Sequence, residues 1–283
     1  MNLSESENPI LQSYSEVFKK RWNLFNFING RNPEKIKVVT DFLKKIVEAS
    51  NFSMCLPIEN LPKIIESDLI KNAMETGASK GSTIGGNEVR REATENLYGE
   101  LPKDLKPSDY PKFGFLSGKD LMKDLGADID IFWHYGSVML TFKKENLFNR
   151  TTLTVGSSLN FNESILKSPV PVWDVFPMCI KGHATKMLPK PIPMFRGFDF
   201  FYDQIINGKV STSAPNQLAI NCDDVPGFEN YELQFFGELR FSRDVESIHF
   251  VELAGNENEI INELKPKLDE LNIPAQNLFG NGF

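Results

Sequence analysis

Two alternating runs dominate the pattern of apolar and polar positions. Between 150 and 158, polar Thr152 and Thr154 interleave with apolar Leu153 and Val155. Between 231 and 237, Glu232 and Gln234 interleave with Leu233 and Phe235. Alternation at period two, with β-branched residues in the first run, predicts strands. Residues i and i+2 of a strand point to the same side, so Glu232 and Gln234 share a face. That face is either an exposed side of a sheet or the wall of a cleft offering a carboxylate and an amide. The pattern alone leaves both readings open.

Read in order, residues 1–10 show no period and are expected to be disordered. From 13 to 50 the pattern is helical, carried by Val17, Trp22, Leu24, Phe25 and Phe27 and, after a break at 29–33, by Ile36, Val39, Phe42, Leu43, Ile46 and Val47. Pro33 is placed to open the second of these helices. A third helix is expected over 61–74. Residues 76–86 form a loop rich in glycine and hydroxyls. A short helix then carries Arg90, Arg91, Glu92 and Glu95 and ends at Leu97, Tyr98 and Gly99. Strands are expected at 112–116, 129–135, 137–142 and 147–155. Residues 163–195 hold six prolines without a period and read as a long loop insertion; proline, lacking the N–H, keeps 169–173 out of a central strand. A helix over 198–208, strands at 218–221, 231–236, 239–241 and 248–253, and a helix over 256–271 complete the chain. The expected class is α+β. A helical N-terminal region, 1–72, precedes a domain over 73–283 with a mixed, largely antiparallel split β-sheet.

Composition narrows the partners. The 283 residues carry a net charge of -7, and no basic stripe is interleaved with aromatics, so nucleic acid is not expected as a partner. Local arginines can still hold a small anion. Cys55, Cys179 and Cys222 are odd in number and far apart, which gives neither a CxxC pair nor a disulfide framework and suits a reducing compartment. Cys179, His183, Cys222 and His134 lack the paired spacing of a zinc site, and no metal is expected. No apolar run reaches the roughly 18 residues of a membrane span. The Ser/Asn-rich start lacks the basic and apolar regions of a Sec signal. It suits a cytosolic protein, or an effector exported unfolded.

The 76–86 loop exposes backbone N–H groups that suit phosphate, although it is neither a Walker loop nor GxGxxG; a plain connection is the alternative. An arginine behind such a loop can grip a pyrophosphate in bidentate fashion, or can be a solvated helix charge. Arg196 and the Ser211–Ser213 triplet fall in the order used by ADP-ribosylating toxins, but they lie too close together for the intervening elements, and the triplet reads as a loop.

Four segments, in order, carry a broader resemblance: Thr76-Gly-Ala-Ser-Lys-Gly81 with Gly85-Gly86 and a following arginine; Pro111-Lys-Phe-Gly114; Tyr135-Gly-Ser-Val138 running into Arg150–Ser158; and Glu232-Leu-Gln-Phe-Phe-Gly237 with Ser242–Ile248. With them the sequence resembles a large bacterial family of ADP-ribosyltransferase-like domains. It departs from that family at Ser157, where Asp is usual, at Phe236, where His is usual, and before the Thr-Gly loop, where Lys71 is the nearest basic residue. The resemblance implies an ADP-ribosyltransferase-type sheet and transfer of ADP-ribose from NAD+ to a protein side chain. Glu232 would stabilise the oxocarbenium-like transition state, and Gln234 would orient the acceptor or the ribose. Thr152 and Thr154 would bond the nicotinamide ribose. The loop residues Thr76, Gly77, Ser79 and Gly81, with Arg91 or Arg90, would take the amide or pyrophosphate, and Tyr98 or Tyr135 would stack on nicotinamide. CteC-like effectors, which resemble this class, modify a threonine of ubiquitin, so a secreted effector acting on a host protein, ubiquitin included, is the implied setting. Two other readings stay open: a catalytically inactive domain that binds a protein through 1–72 and the proline-rich insertion, and an NAD+ glycohydrolase.

Overall fold

Asn8 opens the first helix earlier than the apolar period suggests. Its side-chain oxygen accepts the N–H groups of Ile10 and Leu11, at 3.0 and 3.3 Å, while its amide nitrogen donates to the Asp109 carbonyl. Asparagine at the N-cap followed by proline at the first helical position is a helix-start signature. The expected disorder of residues 1–10 therefore does not hold: Leu3–Glu5 form a helical turn, and Leu3 and Ile10 are buried with Leu11 and Tyr14.

The computed structural model describes residues 3–29, 32–77, 86–121, 135–155, 170–171, 196–213, 215, 231–250 and 257–278. Helix α1 (Pro9–Asn29) is followed by α2 (Pro33–Ala49), capped by Asn32 and opened by Pro33. Strand β1 (Asn51–Leu56) comes next, then α3 (Leu61–Ser67), β2 (Leu69–Ile70), α4 (Ala73–Thr76) and α5 (Gly86–Tyr98). The third helix expected over 61–74 is interrupted by Asp68, which adopts a left-handed φ of 56° and sends the chain into β2. Strands β3 (Lys112–Ser117) and β4 (Val138–Phe142) precede the short α6 (Lys144–Leu147). After these come β5 (Thr151–Val155), β6 (Val170–Pro171), α7 (Arg196–Ile206), β7 (Tyr231–Phe235), β8 (Leu239–Arg240), α8 (Phe241–Asp244), β9 (Val245–Phe250), α9 (Glu257–Glu270) and β10 (Ala275–Asn277). The strands expected at 129–134 and 218–221, and most of the 163–195 insertion, lie outside the described residues. The part of the insertion that is described, β6, is an edge strand, as its proline requires.

The protein is α+β. Its main sheet runs β10-β9-β4-β1-β3-β7-β5-β6, antiparallel throughout except for the β9–β10 pair, and β2 pairs with β8 in a separate two-stranded sheet. The expected boundary at 72/73 does not separate two units. Strand β1 lies inside the supposed helical region, yet it is hydrogen-bonded between β3 and β4 near the middle of the sheet. Its short mixed run, Asn51-Phe-Ser-Met-Cys-Leu56, follows the α2 period too closely to show as a separate element.

One sheet face is apolar. Phe52, Leu116, Leu140, Leu153, Leu233 and Phe235 join α2, α7 and α9 in the main core. The opposite face, at the β5–β7 end, is covered by a second cluster built from α1 and α5 around Tyr14, Leu97, Tyr98 and Phe236. The two family-like glycines have steric reasons. A Cβ on Gly114 would sit 2.3 Å from the Ser53 carbonyl oxygen and 2.5 Å from the Phe235 ring, and one on Gly136 would sit 2.1 Å from the Leu56 carbonyl carbon.

An ionic clamp holds the end of β7. Arg150 donates to the Phe236 and Glu238 carbonyls and to the Asp244 carboxylate. Asp244 is fully buried and also receives the Arg243 guanidinium, at 2.7 and 2.8 Å, and the Arg240 N–H at 2.8 Å. Burial works against the Asp244 charge, but Arg243, the Arg240 N–H and Arg150 outweigh it and hold its pKa below the ordinary 3.8. A depressed native pKa gives stability that is complete above the unfolded value and is lost as pH falls through the native one. Asp244→Ala is expected to lower the unfolding free energy by about 2 kcal/mol, since it removes the buried acceptor of the charged hydrogen bonds from Arg150 and Arg243 and of the Arg240 N–H. Urea titrations at pH 7 and through the acid range should show that loss and a flatter acid dependence in the variant.

Candidate active site

Strands β5 and β7 lie side by side, with Thr152 opposite Gln234 and Thr154 opposite Glu232. On the other flank of β7, Phe113 and Phe115 of β3 stand opposite the same two residues. The face is not an exposed sheet surface: Gln234, Thr152 and Thr154 are 0% exposed and Glu232 is 6% exposed. A row of buried polar groups on an otherwise apolar strand must satisfy itself.

It does so in one line. Gln234 Nε2 donates to Glu232 Oε1 at 2.9 Å and to Thr154 Oγ1 at 3.0 Å. Thr152 Oγ1 donates to Gln234 Oε1 at 2.8 Å. Tyr98 Oη, from the end of α5, lies 2.7 Å from Thr152 Oγ1. The amide orientation follows from chemistry, because an ionised carboxylate only accepts and therefore takes the NH2 side of Gln234. Gln234 thus spends both donors and its acceptor inside the protein. It cannot orient an acceptor or a ribose, as the resemblance implied; it holds Glu232.

Glu232 opens onto a cleft of about 970 Å³, at the upper end of the range for small-molecule sites. One wall comes from β3 and the turn before it, with Tyr110, Phe113 and Phe115. The opposite wall comes from α3, β2 and α4, with Ile64, Leu69 and Met74. Thr76 lines the cleft, its hydroxyl donating to the Asn72 carbonyl. Gly77 caps α4 in the left-handed conformation, φ 67°. Ser79 and Gly81 lie outside the described residues. Arg90 lines the cleft beside the Ala73 carbonyl, to which it donates at 3.4 Å. Arg91 instead pairs with Glu95 at 3.0 Å on the exposed side of α5 and is not part of the cleft wall. Tyr135, 41% exposed, lines the mouth. Tyr98 does not offer a stacking surface: its ring is buried edge-on against Tyr14 and Phe236.

Lys112 escaped the sequence reading. It lines the cleft at 3% exposure, donates to the Gly237 carbonyl at 3.0 Å and faces Glu75 at 3.6 Å. Burial pulls its ammonium below the ordinary 10.5, and Glu75 offsets part of that pull. Asn72 was missed as well. It forms a capping box with Glu75 and donates to the Pro107 and Tyr110 carbonyls, tying the two cleft walls together. The spacing Asn72-x-x-Glu75 is a capping-box signature that could have marked it. The described residues contain no cluster of metal-binding side chains, and none of their helices is long and apolar enough to cross a membrane.

No protein-family model matches the chain, and no curated protein matches it. Among solved structures, DarT of Thermus sp. 2.9 in complex with carba-NAD+ aligns at a TM-score of 0.36 and 8% identity, over 81% of this chain and 95% of that one. The NAD+ complex of the same protein gives 0.37, also at 8% identity and with the same coverage. DarTG of Thermosipho africanus in complex with ADP-ribose gives 0.36 at 12% identity, over 80% of this chain and 49% of that one. Similarity this distant assigns no role to any residue.

Thr152→Val removes the donor to Gln234 Oε1 and the acceptor for Tyr98 without changing the side-chain shape much. Leaving buried polar groups unsatisfied is expected to cost about 2 kcal/mol, read as a lower urea midpoint at an unchanged slope.

Proposed function

We propose that the protein is a mono-ADP-ribosyltransferase that transfers ADP-ribose from NAD+ to a side chain of a target protein. The observation that carries this reading is Glu232: a carboxylate at the wall of a large cleft, with one oxygen fixed by a buried amide. A group so held is suited to stabilising positive charge that develops at a fixed point. The four ordered sequence segments support the same reading, and all four meet at the cleft, through Thr76, Phe113, Tyr135 and Glu232.

In this scheme the bond from the ribose C1′ to the nicotinamide nitrogen breaks. Nicotinamide leaves as a neutral molecule with the bonding pair, and an oxocarbenium-like centre develops on the ribose beside Glu232. The acceptor nucleophile forms the new bond at C1′ and gives its proton to the Glu232 carboxylate, which returns it to solvent. The proposed binding roles fall to cleft residues: Arg90 and Lys112 toward the pyrophosphate, Tyr135 toward a ring face, Thr76 toward a polar edge. Arg91 and Tyr98 leave the list of ligand contacts. A secreted effector acting on a host protein is the setting we propose, so ubiquitin and a eukaryotic lysate serve as acceptors in the test.

The purified chain is incubated with labelled NAD+, with ubiquitin or lysate and without either. Nicotinamide release together with a labelled protein band is expected, and Glu232→Ala should reduce both by at least about 100-fold while the fold persists by circular dichroism. Nicotinamide release without a band would make the protein an NAD+ glycohydrolase. A folded wild type that releases no nicotinamide under any of these conditions overturns the reading.

A further inference from the structure

We infer that Tyr98 is a positioning residue for Glu232, acting from the helical layer through Thr152 and Gln234. The inference rests on the function proposed above. A count of protons gives each hydrogen bond in the line its direction. Glu232 accepts, so Gln234 presents Nε2 to it and Oε1 to Thr152. Thr152 has one hydroxyl proton, and Gln234 Oε1 takes it at 2.8 Å. The phenol of Tyr98 stands 2.7 Å from Thr152 Oγ1 and 3.5 Å from Gln234 Oε1, to which it is also placed to donate. The hydroxyls of Tyr98 and Thr152 therefore both stand on the Oε1 side of the Gln234 amide, and the amide donates from its other side to the carboxylate.

Without the phenol, Thr152 Oγ1 lacks a donor. The reversed amide then becomes a competitor: Nε2 would donate to Thr152 and Oε1 would accept from Thr154. That orientation sets an amide oxygen against the Glu232 carboxylate and removes the N–H that holds it. Tyr98 opposes the reversal because its O–H faces Gln234 Oε1 as well as Thr152, and a reversed amide would turn an N–H toward it. It is itself held edge-on by Tyr14 of α1, with centroids 5.1 Å apart and planes at 83°, and by Phe236, at 5.3 Å and 87°. Its ring is 1% exposed and has no access to a ligand in the cleft. Its hydroxyl reaches Glu232 through Thr152 and Gln234.

The test is Tyr98→Phe in the full chain, which keeps the ring and its packing. For NAD+ turnover, kcat is expected to fall about fivefold with KM for NAD+ within about twofold of wild type, because the change disorders a charge that acts in the transition state and leaves binding alone. In 15N-labelled protein, the Gln234 side-chain NH2 protons should exchange with solvent slowly in the wild type and measurably faster in the variant. An unchanged kcat, or a loss carried mainly by KM, overturns the positioning role. If the wild type turns over no NAD+, the proposed function fails on its own, and the exchange experiment still decides the relay: equal protection in both proteins overturns it.

Discussion

A buried carboxylate next to a buried amide constrains everything around it. Glu232 is largely withdrawn from water and is disfavoured beside an amide oxygen, so Gln234 faces it with its nitrogen. That choice obliges Thr152 to donate, which in turn obliges a donor toward Thr152, and the donor comes from α5. The polar face of the sheet, the placement of α5 against it and the packing of α1 on α5 all bear on one buried carboxylate. The remainder of the main core, from Phe52 to Phe250, is apolar and makes no comparable demand.

Around this line the protein is tied by charges at strand ends rather than along strand faces. Arg150 and Asp244 secure the turn that follows β7, and Lys112 reaches the same turn from β3 through the Gly237 carbonyl. Lys144 does comparable work at the other end of the sheet: its ammonium donates to the carbonyls of Val47, Glu48 and Ser50 at the C-terminus of α2, where a cation also complements the helix dipole. These clamps hold the ends of strands whose middles carry the candidate chemistry, so small displacements of the β7 turn are opposed from three directions.

How much of this could be read from the chain depends on how local each cause is. The strand character of β5 and β7 and the shared face of Glu232 and Gln234 followed from period-two alternation, which is local. The helix ending at Tyr98 and the breaks at Asn29–Pro33 were likewise visible. Strand β1 was not, because six residues of mixed polarity directly after a strong helix have no period of their own, and their partners β3 and β4 are distant in sequence. The order at Leu3 and Ile10 was hidden for a similar reason: those side chains are buried by Leu97, Tyr98 and Tyr110, which no local pattern connects to them. At the site, the resemblance made Tyr98 an aromatic surface and Gln234 a ligand contact. Only their surroundings show the phenol and the amide turned inward. The choice between Arg90 and Arg91, adjacent in sequence, is a matter of helix phase, and phase relative to a cleft is a tertiary fact.

The position of β1 bears on how the molecule is made. It precedes the other strands of the main sheet in sequence and is a central one in the finished sheet, and its hydrogen-bonding partners are translated much later, after α3, α4 and α5. Non-local pairing of this kind is slow to form and leaves open strand edges exposed while it waits. During that interval α2, which joins directly to β1 and shares its core through Val39, Leu43 and Val47, is the element available to shield it. The amphipathic stripe of α2 thus covers the apolar face of the nascent strand, while its edges stay open until β3 and β4 arrive.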